Sequence, residues 1–130
     1  MSSTLFIDGE WRAASDGGTH NVISPADGRI VATVSEGTVQ DVSDAIAAAR
    51  SAFDDGGFAN WSFEERSQLV AKVADLMERD LKVLAKLESD DTGKRLIEAE
   101  YDIADVIACF RHFVDLGKKQ HERKVEIGLE

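Results

Sequence analysis

The feature that most constrains this chain is an abrupt change of pattern near residue 37. Before it, short apolar runs are separated by turn dipeptides; after it, apolar residues recur every three or four positions. Leu5-Phe6-Ile7 and Glu10-Trp11-Arg12 flank Asp8-Gly9, a two-residue hairpin signal. Asp16-Gly17-Gly18 makes a second break. Asn21-Val22-Ile23-Ser24 leads into Pro25-Ala26-Asp27-Gly28, which suits a type I turn, and Ile30 to Val34 returns as a strand. The spacing predicts two hairpins within residues 1–35.

Helices are predicted over residues 38–117. Thr38 with Asp41 makes a capping box, with Asp in place of the usual Glu or Gln. Val42, Ile46, Ala49 and Phe53 then share one helix face, and Asp55-Gly56-Gly57 closes it. Ser62 and Glu65 form a fuller capping box ahead of the stripe Leu69, Val73, Leu76 and Met77. A break near Asp80 precedes a short helix with Leu81, Leu84 and Leu87, ended by Thr92-Gly93. The last helix runs from about Ile97 to Leu116, with Ile103, Ile107, Phe110 and Val114 as its core face. Residues 118–130 form a tail. Its basic stretch, Lys118 to Lys124, complements a helix C-terminus, and Arg123 to Leu129 alternates weakly in the manner of a strand. Taken alone the order reads as α+β. The amphipathic helices have only short hairpins to cover, so their apolar faces match a sheet that this sequence does not supply.

Charge narrows the function. Asp plus Glu total 25 against 15 for Lys plus Arg, a formal net charge of −10 that repels a phosphate backbone and argues against nucleic acid as a partner. The single cysteine has no internal disulfide partner, and MSSTLFIDGEW has no basic region followed by a long apolar run. No apolar stretch approaches the roughly 20 residues that span a bilayer. The expectation is a soluble, cytoplasmic protein with no membrane partner.

Few motifs carry chemistry. Cys109 and His112 lie three apart, on one side of a helix, as a Cys-His dyad or half a zinc site would require. His20 and His121 supply no matching ligand spacing, and Cys109 falls on the shoulder of the apolar face beside Val106 and Phe113. It is read as a packed structural cysteine. Asp54-Asp55, Asp90-Asp91 and Glu98-Glu100 are read as solvated faces or helix ends. Asp91-Thr92-Gly93-Lys94 lacks the upstream glycine of a P-loop and reads as a helix C-cap with a flanking cation. No Ser-His-Asp arrangement stands out.

The string LFIDGEWRAASDGGTHNVISPADGRIVATV resembles the start of the NAD(P)-dependent aldehyde dehydrogenase family, where an I-x-G-x-W hairpin precedes a second hairpin with an N-P-A-x-G-like turn. Here Ser24 stands where Asn is usual before Pro25. DVSDAIAAARSAF, Trp61 with a slightly displaced Arg66, and LAKLESDDTGK follow in the family's order over about residues 4 to 117. The D-T-G-K wording and the helix ending in Cys109-Phe110-Arg111 are nearest to the betaine-aldehyde and amino-aldehyde branch.

The resemblance implies a partial α/β fold: the N-terminal hairpins and covering helices of a Rossmann-like cofactor domain whose strands come later. In the full-length family it implies oxidation of an aldehyde to a carboxylate with NAD or NADP. Several members also hold a monovalent cation such as K+ on backbone carbonyls of the second hairpin and on a carboxylate of the D-T-G-K stretch, here Val22, Ile23 and Asp91. The family's W-N-F-P, G-x-T-x-x-G, E-L-G-G-K and G-Q-x-C motifs do not occur in this sequence. No catalytic and no cofactor-binding residue is therefore assigned, and no activity is expected of the 130 residues alone. The expected partners are the remainder of such a chain and, through exposed apolar faces, further copies. The alternatives are an acidic helical interaction module derived from the family and an unrelated small enzyme or metal protein built on Cys109 and His112.

Overall fold

The computed structural model describes residues 2–119 together with Val125 and Gly128. The strand expected over 123–129 lies, those two positions apart, outside the described residues.

Strands β2 (Leu5–Ile7) and β3 (Glu10–Arg12) pair antiparallel as the first hairpin, with Phe6 opposite Trp11. Asp8 and Gly9 both take positive φ, 55° and 80°, as a tight turn matched to the twist of its strands demands. Strands β4 (Thr19–Ile23) and β5 (Ile30–Ser35) make the second hairpin. Its turn is one residue wider than a type I turn, because the Gly28 N–H donates back to the Ser24 carbonyl at 2.9 Å with Gly28 at φ 75°. A short strand β1 (Ser2–Ser3), which no apolar pattern announces, pairs parallel with β5 and gives the sheet order β1-β5-β4.

Four helices follow, joined in part by a single 3-10 turn at Gly57–Asn60: α1 (Val39–Asp54), α2 (Phe63–Arg79), α3 (Leu81–Thr92) and α4 (Leu96–Lys119). Both capping boxes are formed, Thr38 with Asp41 and Ser62 with Glu65, each satisfying amides that a helix start leaves without partners. The break at Asp80 is present. Gly93 ends α3 in the left-handed conformation at φ 75°, and Lys118 and Lys119 occupy the last turn of α4.

The core lies among α2, α3 and α4. Ala74, Ala85 and Ala99 are wholly buried, and Ile107 and Val114 of α4 are nearly so. Small residues let the helix backbones approach; a Cβ on Gly117 would sit 2.9 Å from Ser67 Oγ across the α2–α4 crossing. Burying Ile107 and Val114 contributes about 1.5–3 kcal/mol each relative to exposure. Helix α1 is different. It lays Ala45 and Ala48 against the first hairpin, while Val42, Ile46 and Phe53 of its expected face stay 55%, 65% and 64% exposed. The molecule is thus a partial α/β fold: two small sheets and four helices, with apolar faces left uncovered.

Candidate functional site

The second hairpin and the end of α3 enclose an open hollow of about 360 Å³, with Val22, Val31 and Ala32 on one side and Glu88, Asp90 and Asp91 on the other. Two local features create it. In the hairpin, the ladder slips between Val22 and Ile23: Val22 pairs with Ala32 and Ile23 with Ile30, so Val31 has no partner on β4. Such a bulge interrupts the ladder and leaves backbone polar groups free of it. At the end of α3, Gly93 docks directly on the hairpin turn. A Cβ there would lie 2.9 Å from Pro25 Cγ and 3.2 Å from the Ala26 nitrogen, so the close approach requires glycine as much as the positive φ does. Around it, Thr92 Oγ1 donates to the Glu88 carbonyl at 2.7 Å and Ser89 Oγ to the Lys94 carbonyl at 2.8 Å.

Of the residues that the resemblance singled out, Val22 and Asp91 meet on this hollow although they are far apart in the chain. Ile23 follows the slip, does not line the hollow, and exposes 57% of its surface. Backbone carbonyls and one carboxylate are hard oxygen donors, suited to a hard cation and unsuited to a soft one. Asp91 joins no ion pair among the described residues, whereas its neighbours do. Asp90 accepts from Arg29 across to the hairpin and from Lys86 one helical turn back. The Lys86 hydrogen bond, then the charge of Arg29, hold the Asp90 carboxyl below the usual carboxylate range, although burial opposes both. Glu88 accepts from Lys94 at 2.5 Å, and Lys94 also reaches Asp102. Asp102 first and Glu88 second push the Lys94 ammonium above its ordinary value. The Lys86–Asp90 spacing of four was readable in the sequence; the Arg29–Asp90 link between remote segments was not.

A second polar cluster joins the first hairpin to α1. Asp41 Oδ2 accepts from the Thr38 N–H at 2.9 Å, the Thr38 hydroxyl at 2.8 Å, the Ser15 N–H at 3.0 Å and the Ser15 hydroxyl at 3.2 Å. Arg12 lies 3.6 Å from its other oxygen and donates to Asp44 at 2.8 Å. The amide bonds from Thr38, then Ser15, lower the Asp41 pKa to about 2 despite its burial. This is a clasp between the hairpin and the helix start, in which Arg12 Nε is buried without a hydrogen-bond partner among the described residues.

Cys109 departs from expectation. It is exposed rather than packed, on the α4 face that also leaves Phe113 largely bare. The helical projection placed it correctly beside Val106 and Phe113; what failed was the assumption that this face is covered. His112 sets its ring edge-on to Phe113 at 5.5 Å. Among the described residues no three His, Cys, Asp or Glu side chains gather in a way that holds a metal ion. No helix of the described residues is long and apolar enough to cross a membrane.

The arrangement has close counterparts. The model of the aldehyde dehydrogenase family matches residues 11–129. Betaine aldehyde dehydrogenase of Bacillus subtilis (strain 168) is 47% identical over 119 residues, which are 92% of this chain and 24% of that protein. The crystal structure of betaine aldehyde dehydrogenase from Staphylococcus aureus in complex with NAD+ superposes with a TM-score of 0.90 at 35% identity, over 98% of this chain and 25% of that one. NAD-dependent aldehyde dehydrogenase from Sinorhizobium meliloti gives 0.84 at 34% identity, over 88% and 23%. The chain spans about a quarter of the length of these relatives. With a family model matching nearly all of its length and both hairpins and all four helices in place, the chain belongs to the aldehyde dehydrogenase family.

Proposed function

We propose that this chain serves as the N-terminal part of the cofactor-binding domain of an NAD(P)-dependent aldehyde dehydrogenase, and that it does not catalyse the reaction by itself. The observation that carries the reading is the uncovered face of α1: Val42, Ile46 and Phe53 are apolar, aligned and more than half exposed. An apolar stripe of this kind is built to be covered. The remainder of an aldehyde dehydrogenase chain is the cover proposed, supported by relatives about four times longer that share the fold over this stretch. The absence of the family's nucleophile, base and cofactor-turn motifs from the sequence supports the second half of the proposal. Betaine aldehyde or a related amino-aldehyde is the substrate class proposed for the longer protein, after its B. subtilis and S. aureus relatives. A cytoplasmic location is proposed with it. Purified 130-residue chain given betaine aldehyde and NAD+ is expected to produce no NADH above a no-protein control at 340 nm. Sustained production would contradict the proposal.

In the same protein, the Val22 and Ile23 carbonyls and the Asp91 carboxylate are proposed to hold a monovalent cation such as K+. Support comes from the hard-oxygen donor set, the bulge at Val22/Ile23 and the placement of Asp91 on the Val22 hollow. The ion would supply structural charge there, tying the hairpin to the end of α3.

A further inference from the structure

Helix α1 turns two apolar faces in different directions. Ala45, Ala48 and Ala52 line its contact with the first hairpin. Val39, Val42, Ile46, Ala49 and Phe53 follow one another at spacings of three, four, three and four. All five are exposed, Val39 to 86%. Spacings that alternate between three and four make a narrow seam, which fits one helix crossing at about 20°; a face made for a sheet or a broad core is wider. We infer that the occupant of this seam is a single amphipathic helix, lying antiparallel to α1 with a basic N-terminal end against Asp54 and Asp55. The inference rests on the reading above that the remainder of a longer chain covers α1, and adds which kind of segment does so.

Shape and charge agree on this occupant. On one flank of the seam, Ala45 and the hairpin residues Leu5 and Phe6 wall a hollow of about 220 Å³ beside Val42. The other flank carries Ser43 and Arg50, and Arg50 is turned to Asp54 one helical turn on. Direction follows from the helix ends. The C-terminus of a helix is the negative end of its dipole and favours cations. Helix α1 instead closes on Asp54 and Asp55, with no basic residue in its last turn. Asp55 accepts from the Ser51 hydroxyl at 3.0 Å and joins no ion pair among the described residues. An antiparallel helix brings its positive end, and any lysine or arginine there, to that excess of negative charge.

The probe is a synthetic three-heptad peptide with isoleucine and leucine along its seam and lysine on both flanks, titrated into the 130-residue chain. A counterpart with glutamate on both flanks is the control. The lysine peptide should bind at least about tenfold more tightly than the glutamate peptide. D54N/D55N should shrink that preference, while D105N/D115N, the same change of charge on α4, should leave it. A nitroxide on the N-terminus of the lysine peptide should broaden amide resonances around Phe53–Asp55 and spare those around Val39. V42S/I46S should abolish binding; Val39→Ser, which should weaken it, decides the matter if the double variant loses helical circular dichroism. No binding to the wild-type chain, while V42S/I46S still lowers hydrophobic-dye binding, overturns the helical occupant and leaves the uncovered-face reading in place. Broadening around Val39 overturns the antiparallel direction. A discrete dimer that V42S/I46S converts to monomer overturns the inference in favour of a second copy. If V42S/I46S changes neither peptide nor dye binding, the inference and the uncovered-face reading fall together.

Discussion

Helices α1 and α4 are both amphipathic and both begin with an acidic first turn, yet they are held in opposite ways. Helix α4 buries Ala99, Ile107 and Val114 against α2 and α3, so its stability comes from apolar packing within the chain. Helix α1 has a single buried residue, and that residue is Asp41, a carboxylate. It is fastened at its N-terminus by Ser15, Thr38 and Arg12, and its apolar stripe faces outward. An isolated helix of about its length is marginal in water. The difference teaches that one part of this chain closes on itself, while the other is positioned by polar contacts and presents an apolar surface for something else to cover.

The largest effect should come from the self-closed part. Ile107→Ala removes a nearly buried side chain from the α2–α3–α4 core and should cost about 2–4 kcal/mol, read from urea unfolding followed by circular dichroism. A loss below about 1 kcal/mol would mean that the three helices do not form a real core.

An intermediate, pH-dependent effect should come from the clasp. The folded pKa of Asp41 is depressed from 3.8 to about 2. Its contribution is therefore complete above the unfolded value and is lost as pH falls from near 4 toward 2. Wild-type chain should lose α1 helicity through that window more steeply than Asp41→Asn, which lacks the carboxylate throughout. Parallel acid titrations of the two proteins would contradict the assignment.

The smallest effect on stability belongs to the uncovered face. Ile46→Ser changes a residue that is 65% exposed and should shift stability by about 0.5 kcal/mol or less. The same substitution should reduce binding of a hydrophobic dye and the tendency to self-associate, measured by light scattering. A cost comparable to that of Ile107→Ala would erase the contrast between the two helices.

Much of this architecture was legible because it is written in local chemistry. Asp8-Gly9 needs positive φ at two successive positions, Thr38/Asp41 and Ser62/Glu65 satisfy orphan amides within three residues, and Thr92-Gly93 needs a left-handed cap. What escaped the sequence depends on distant partners. Strand β1 is two serines, with no apolar signal, and exists through its pairing with β5. The periodicity of α1 correctly grouped Val42, Ile46 and Phe53, but a helical wheel shows which residues share a face and not what lies against it. Cys109 misled for the same reason. Around the hollow, Val22 and Asp91 came from resemblance alone, because no spacing rule joins a strand to a helix end 69 residues later. The Arg29–Asp90 bridge is invisible for that reason too, and so is the reach of Ser15 to Asp41.

Amide hydrogen exchange on the 130-residue chain, resolved by peptide, tests the contrast between α1 and α4 most directly. The account predicts strong protection across Ile103–Val114 of α4 and much weaker protection across Val42–Phe53 of α1, where opening breaks few apolar contacts. Equal protection of the two helices would contradict it, because α1 would then already have the cover that this structure leaves it without.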